Sequence, residues 1–340
     1  MRIGILTGGG DCPGLNAAIR AVVKRGSSEH GHSMVGFKNG WRGFLDGNSI
    51  PLDRTDVRGV LVQGGTMLGT ARCHPDKEPG GLDRVREVVE AEKLDAIICI
   101  GGDGTLKAAS RVGATGIPVI GIPKTIDNDV VGTDTSIGFD TAVMIATEAI
   151  DRLHSTAESH NRVMVVELMG RHSGWIAIAA GIAGGADIIL APEEPFDMDK
   201  VAKRIAHRHR SQAGFSIVAV AEGARPTEES DWELNTTTDD DGNPVAGEIG
   251  QQVTREIQVR TGYEARLTVL GYVQRGGTPT AADRLLATRM GVAAIDAATL
   301  GVTQKFTAVR GSEIVMEDFS VMAGKTKFVP QELLDAARGL

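Results

Sequence analysis

The sequence predicts an α/β protein made of two three-layer α/β/α domains with mostly parallel sheets. Three observations carry that expectation. Short β-branched runs recur along the chain and are continuously apolar, as strands covered on both faces must be. Amphipathic helical segments alternate with these runs, and glycine turns join strand to helix. Finally, 340 residues are room for about two domains.

The elements follow in order. "IGILT" at 3–7 reads as the first strand; the chain then bends through Gly8, Gly9 and Gly10 and enters a helix near Asn16. "DAIICI" at 95–100 is a second strand, followed by the same grammar in "GGDGTLKAA". "IPVIGI" at 117–122 is a third, and it runs into "PKTIDNDVVGTD". After Gly138, Phe139, Ala142, Val143, Ala146, Ala149, Ile150 and Leu153 recur at three- and four-residue spacings, which predicts an amphipathic helix. "VMVVEL" at 163–168 and "SIVAVA" at 216–221 are two more strands. The polar stretch 226–248 reads as a surface loop. In an open sheet of this kind ligands gather at the carboxyl ends of the strands.

Composition narrows the function. Hydrophobic residues make up 41% and aromatics only 4%, so small and branched aliphatics must build the core. The 44 glycines far exceed average usage and concentrate at turns after apolar runs. A net charge of −8 argues against a nucleic-acid or anionic-membrane partner, so local basic residues must do any anion binding. No apolar run approaches bilayer length. Cys12, Cys73 and Cys99 suggest reduced thiols rather than a disulfide framework. "MRIGILTGGGD" enters a strand at once, leaving no room for a signal peptide. The expectation is a cytoplasmic protein.

Four stretches carry chemistry. The two glycine turns, at Gly8–Gly10 and Gly101–Gly104, would let main-chain amides and a helix start meet an anion. Neither matches the P-loop or the dinucleotide fingerprint. Asp103 among such amides makes sense if a divalent cation lies between carboxylate and phosphate, although a helix N-cap would explain it equally. In "PKTIDND", Asp127 and Asp129 would share one face of a regular strand, unless the segment is a turn rich in Asx residues. "MGRHSGW" places Met169, Gly170, Arg171 and His172 after a strand, where an Arg clamps phosphate or forms a surface ion pair. "LGYVQRGGTPTAADR" sets Tyr272 and Arg275 before a Gly-Gly turn and a helix.

From "GGGDCPGLNAAIR" through "GTARC" (69–73), "GGDGT", "PKTIDND" and "MGRHSGW" to "AEG" (221–223) and "LGYVQRGG", the chain resembles the phosphofructokinase family. The match spans roughly residues 3–300 in the family's order. "TIDND" joined to "MGR" and "QRGG" is specific; a GGDGT-like turn alone also occurs in NAD and lipid kinases. The resemblance implies phosphorylation of fructose 6-phosphate at its 1-hydroxyl, with Asp127 as base and Mg²⁺ at Asp103, supported by Asp129. It puts Gly10, Arg72, Cys73, Gly102, Asp103, Gly104 and Thr105 on the donor, ATP. It puts Thr125, Asp127, Met169, Gly170, Arg171, Glu222, Tyr272 and Arg275 on the sugar phosphate, with Thr125, Asp127, Arg171 and Gly104 as the catalytic set. Arg162 and Arg266 match residues that reach a neighbouring subunit's site, which implies a homo-oligomer, a tetramer or else a dimer. The family's domains are discontinuous, so 1–138 plus 251–301 is expected to be the donor domain and 139–250 plus 302–340 the sugar-phosphate domain.

Three departures bear on function. Tyr272 stands where bacterial relatives often have His, and keeps a hydrogen-bonding tip without the positive charge. Lys124 stands where the ATP enzymes of bacteria have Gly, and resembles the pyrophosphate-using branch. Asp187 replaces a frequent Glu, which disfavours carrying over the effector chemistry that Arg20, Lys24 and Arg54 would otherwise suggest. Position 104 bears on the donor most directly. Pyrophosphate users carry Asp there, adding bulk and like charge against a nucleotide's extra phosphate; Gly104 adds neither. ATP is therefore the expected donor, in a branch intermediate between the two groups. The alternatives are a pyrophosphate-dependent phosphotransferase, a NAD- or lipid-type kinase and a catalytically silent sugar-phosphate or nucleotide sensor.

Overall fold

A computed structural model describes residues 1–211, 214–228, 234, 237–238, 245–322 and 324–338. Much of the polar stretch expected as a loop at 226–248 lies outside the described residues. The chain begins β1 (Arg2–Gly8), α1 (Leu15–Ser28), β2 (Ser33–Phe37), α2 (Gly40–Leu45), β3 (Ser49–Leu52) and α3 (Gly81–Glu92). It continues β4 (Ala96–Gly101), α4 (Asp103–Gly113), β5 (Val119–Pro123), α5 (Phe139–His160), β6 (Val163–Leu168) and α6 (Trp175–Ala183). Next come β7 (Ile188–Leu190), α7 (Met198–Arg210), β8 (Ser216–Ala221), α8 (Glu248–Thr261) and β9 (Ala265–Val269). Last are α9 (Ala281–Thr299), β10 (Lys305–Arg310), β11 (Glu313–Asp318) and α10 (Gln331–Arg338). Each apolar run quoted above falls on a strand, and the run after Gly138 forms α5.

Two units emerge: Met1–Thr141 with Arg275–Thr326, and Ala142–Gln274 with Lys327–Leu340. The first is built on a sheet ordered β11-β10-β5-β4-β1-β2-β3, parallel except for its two edge pairs, β2–β3 and β10–β11. Its core is mostly aliphatic, with Leu6, Val85, Ile97, Leu106, Val112 and Val119 fully buried, around the aromatic side chains of Phe37, Trp41, Phe44 and Phe306. The second unit's sheet, β7-β8-β6-β9, is parallel throughout. A smaller cluster there packs α10 on α6 through Ile178, Val329 and Leu334.

The unit boundaries differ from those expected. Residues 251–274 belong to the second unit because β9 pairs with β6 and because buried Glu167 of β6 accepts the N–H of Gly250 at the start of α8 (2.7 Å). Residues 302–326 belong to the first because β10 adds beside β5. Strand pairing outweighs sequence proximity in both cases.

Register places the functional turns. Gly8 of β1 lies opposite Gly101 of β4, and Gly101 opposite Pro123 of β5. Three loops therefore leave adjacent strands at one level. In the second unit Leu168 lies opposite Ala221, so the turns after β6 and β8 are neighbours too.

Candidate active site

The first unit gathers the two glycine turns and the PKTIDND loop. α1 and α4 each start without a side-chain cap, from Gly14 and Gly102, so their first-turn amides are left to other acceptors. Such a start favours an anion. Two of the glycines serve packing. A Cβ on Gly8 would lie 2.6 Å from the Thr105 hydroxyl, and one on Gly101 would meet Thr105 at the same side chain. Thr105 is thus wedged between both turns, 6% exposed, and ties them together.

Lys124, 2% exposed, reaches from the third loop to donate to the Gly10 carbonyl, while its own N–H donates to Gly101 O (2.9 Å). A buried cation thereby sits among the three loops. Arg275 joins the same neighbourhood: it donates to Asp11 O (3.3 Å), and its guanidinium occupies the space a side chain at Gly10 would need. Arg275 therefore lies against the Gly8–Gly10 turn.

The PKTIDND segment is a loop, since β5 ends at Pro123 and Asn128 takes a left-handed φ of 50°. The shared strand face expected for Asp127 and Asp129 does not form. Instead Asp127 is 2% exposed and half-buried Asp129 follows the turn. Thr125 organises the loop: its hydroxyl accepts the Asp127 N–H (3.1 Å), and Ser136 donates to its carbonyl (2.8 Å). Asn128 accepts the Ser136 N–H (3.1 Å), closing the loop on itself.

Arg72 is exposed, whereas the Cys73 thiol is buried in the core. Burial pushes the Cys73 thiol up, and burial pushes Cys12 up to about 12 against the pull of Lys124. All three cysteines are free and buried, so none offers a ready nucleophile. Among the described residues no group of three His, Cys, Asp or Glu side chains gathers to hold a metal. Asp103, at the first position of α4 and with its side chain 36% exposed, is a lone carboxylate beside uncapped amides. That suits Mg²⁺, which is commonly bound through one carboxylate together with substrate phosphates.

The second unit builds a separate set. Met169, Gly170 and Arg171 follow β6, and Glu222 follows β8. One oxygen of Glu222 accepts the N–H of Gly170 (3.1 Å) and of Arg171 (2.7 Å). The turn is forced: Gly170 has φ 149° and Arg171 has φ 53°, a conformation most side chains avoid. Tyr272, in the 3-10 turn Gly271–Arg275, is 77% exposed.

Arg162 and Arg266 stand elsewhere. Arg162 immediately precedes β6, and Val163 pairs with Ala265, so both arginines lie at the amino end of these strands. The six-residue β6 separates them by about 17 Å from Arg171 at its carboxyl end. They share Glu264, which Arg162 meets at 2.8 Å; that hydrogen bond holds the Glu264 carboxyl below its ordinary range.

Several residues escaped the sequence reading. Lys107 pairs with Asp103 at 2.6 Å, a contact its i,i+4 spacing announces. Asp283, almost fully buried, accepts N–H groups from Gly138 (2.8 Å) and Thr141 (2.9 Å) and fixes the start of α5. His74 packs against Gly104; burial pushes its imidazole down, with Lys77 adding to the effect. No local pattern marks the last two.

Comparison with known proteins places this arrangement. The family model described as phosphofructokinase matches residues 2–298. A pyrophosphate–fructose 6-phosphate 1-phosphotransferase of Amycolatopsis methanolica is 51% identical over 339 residues, 99% of this chain and 98% of its own. An ATP-dependent 6-phosphofructokinase of Corynebacterium efficiens is 50% identical over 333 residues, 98% of this chain and 96% of its own. Among solved structures, Pichia pastoris phosphofructokinase in the T-state aligns with a TM-score of 0.83 and 34% identity over 94% of this chain. The chain spans 35% of that longer polypeptide.

Proposed function

The chain belongs to the phosphofructokinase family, and from that premise we propose that it transfers the γ-phosphoryl group of ATP to the 1-hydroxyl of fructose 6-phosphate. The products are fructose 1,6-bisphosphate and ADP. The donor is the open question within the family, because relatives named for ATP and for pyrophosphate are about equally similar. Gly104 carries the choice. It places no carboxylate of its own beside the start of α4, so position 104 adds no like charge against a nucleotide's additional phosphate.

In this proposal Asp127 accepts the proton of the attacking hydroxyl as the new O–P bond forms and the bond to the β-phosphate oxygen breaks. Phosphoryl transfer leaves the protein chiefly to position groups and offset charge. Lys124, buried at the Gly10 carbonyl, and the amides at the start of α4 offset charge on the donor side. Glu222 holds the Gly170–Arg171 main chain, and so aims the guanidinium intended for the sugar phosphate. Asp103, with Asp129 in support, would hold Mg²⁺, which when bound neutralises donor-phosphate charge.

Arg162 and Arg266 lie at the far end of β6 from Arg171, which supports their service to a neighbouring subunit and hence a homo-oligomer, a tetramer or else a dimer. No helix among the described residues is long and apolar enough to cross a membrane, in keeping with work in the cytoplasm.

Pyrophosphate as donor is the second reading, favoured by the buried Lys124. Initial rates with ATP and with pyrophosphate, each at saturating fructose 6-phosphate and Mg²⁺, separate the two. Turnover with ATP is expected; turnover with pyrophosphate alone would reverse the assignment.

A further inference from the structure

The space beside Gly104 is already taken. A Cβ on Gly104 would lie 2.9 Å from Cε1 of His74 and 3.5 Å from its Nε2, so a side chain there would push the ring aside. The segment bearing His74 is tethered on both sides. Cys73 is buried in the core, and Pro75 is buried at the head of a 3-10 turn, Pro75–Lys77. Asp76 in that turn forms an ion pair with Arg111 of α4, so the segment is tied to the helix whose first turn His74 covers.

We propose that His74 is a donor-recognition residue, whose imidazole fills the volume a side chain at 104 would need and meets a nucleoside triphosphate at the start of α4. The proposal rests on the ATP reading above. Its chemistry is opposite in kind to a carboxylate at 104. A ring with nitrogen donor and acceptor sites offers the nucleotide contact surface and a hydrogen bond, where a carboxylate offers only acceptors. A side chain at 104 therefore acts on the donor site by displacing the ring from its place beside α4.

A double-mutant cycle tests this with His74→Ala, Gly104→Ala and the double variant. KM for ATP, KM for fructose 6-phosphate and kcat are measured for each, with calorimetric binding of ADP as a readout independent of turnover. Each single change is expected to raise KM for ATP and Kd for ADP about fivefold, the size of one lost contact, while KM for fructose 6-phosphate stays within about twofold. The double variant should be no worse than His74→Ala, because Gly104→Ala acts by displacing the same ring. Multiplying single effects would overturn the proposal, as would His74→Ala leaving both nucleotide constants within about twofold of wild type. If Gly104→Ala does not fold, His74→Ala decides alone by those two constants. The wild-type comparison of donors keeps the two ideas apart. Pyrophosphate-only turnover removes the ATP reading and with it nucleotide recognition by His74, whereas additivity in an ATP-using enzyme removes only the role of His74.

Discussion

Thr105 shows why a glycine turn alone is ambiguous. Gly8 and Gly101 leave room for its side chain, so packing within the turns accounts for two glycines that phosphate binding would also explain. The uncapped amides at Gly102 and the carboxylate of Asp103 are what packing leaves over, and those carry the functional argument. Asp127 is the sharpest residue to change. Asp127→Asn keeps the size of the buried side chain and removes the proton acceptor; kcat should fall by about 10²-fold or more, with KM for fructose 6-phosphate nearly unchanged. Steady-state kinetics check this, and a kcat within a few-fold of wild type would remove Asp127 from the role of base. Residue types at these positions were legible from spacing, and so was the Asp103–Lys107 pair in principle. The contact of His74 with Gly104 was not, because thirty positions of chain separate the two.

At the level of elements, the three turns work as a group because β1, β4 and β5 end in register. The strands were legible as apolar runs; their order was not, since every such run satisfies the same pattern. The PKTIDND loop illustrates the limit. Its two aspartates suit strand alternation, but Pro123 ends β5 and Thr125, Asn128 and Ser136 close a turn by side-chain bonds. The far end of this loop is fixed by Asp283 at the start of α5. Burial raises the Asp283 carboxyl, and the hydrogen bonds from Thr141 and Gly138 work against that rise. Asp283→Ala would leave those buried donors unsatisfied and should cost about 2–4 kcal/mol, read as a lower urea midpoint; Asp283→Asn, which retains an acceptor, should cost less. Equal midpoints for wild type and Asp283→Ala would show that α5 does not depend on this contact.

For the molecule as a whole, pH acts through a buried histidine in the first unit, His32, and a half-buried one in the second, His209. Burial, then the N-terminal ammonium and His30, push His32 below its ordinary range; burial, then Arg208, do the same to His209. A depressed folded value means that the unfolded chain binds more protons, so stability is present above the unfolded value of about 6.5 and is lost as pH falls through the folded one. Thermal midpoints should therefore drop between about pH 7 and pH 5, and less steeply in His32→Gln; an unchanged slope would assign the drop elsewhere. Assembly offers another test. If Arg162 and Arg266 complete a neighbour's site, mixing unfolded Asp127→Asn and Arg266→Ala chains and refolding them together should restore activity that neither has alone. No recovery in verified mixed oligomers would place the arginines in their own chain's chemistry. Asp187, by contrast, is engaged internally, with Arg208 at 2.8 Å and the Ile217 N–H at 2.8 Å, so an effector role would have to break a made contact. By itself the sequence determined the α/β class, the family and the kinds of residue at each turn. Those depend on local period and spacing, which survive in one dimension. Only the tertiary structure decided where the units divide, that Arg275 meets the Gly8–Gly10 turn, that Arg162 and Arg266 stand at the opposite end of β6 from Arg171, and that His74 covers Gly104. Each of these depends on strand pairing or packing between segments distant along the chain, for which no local pattern carries the information.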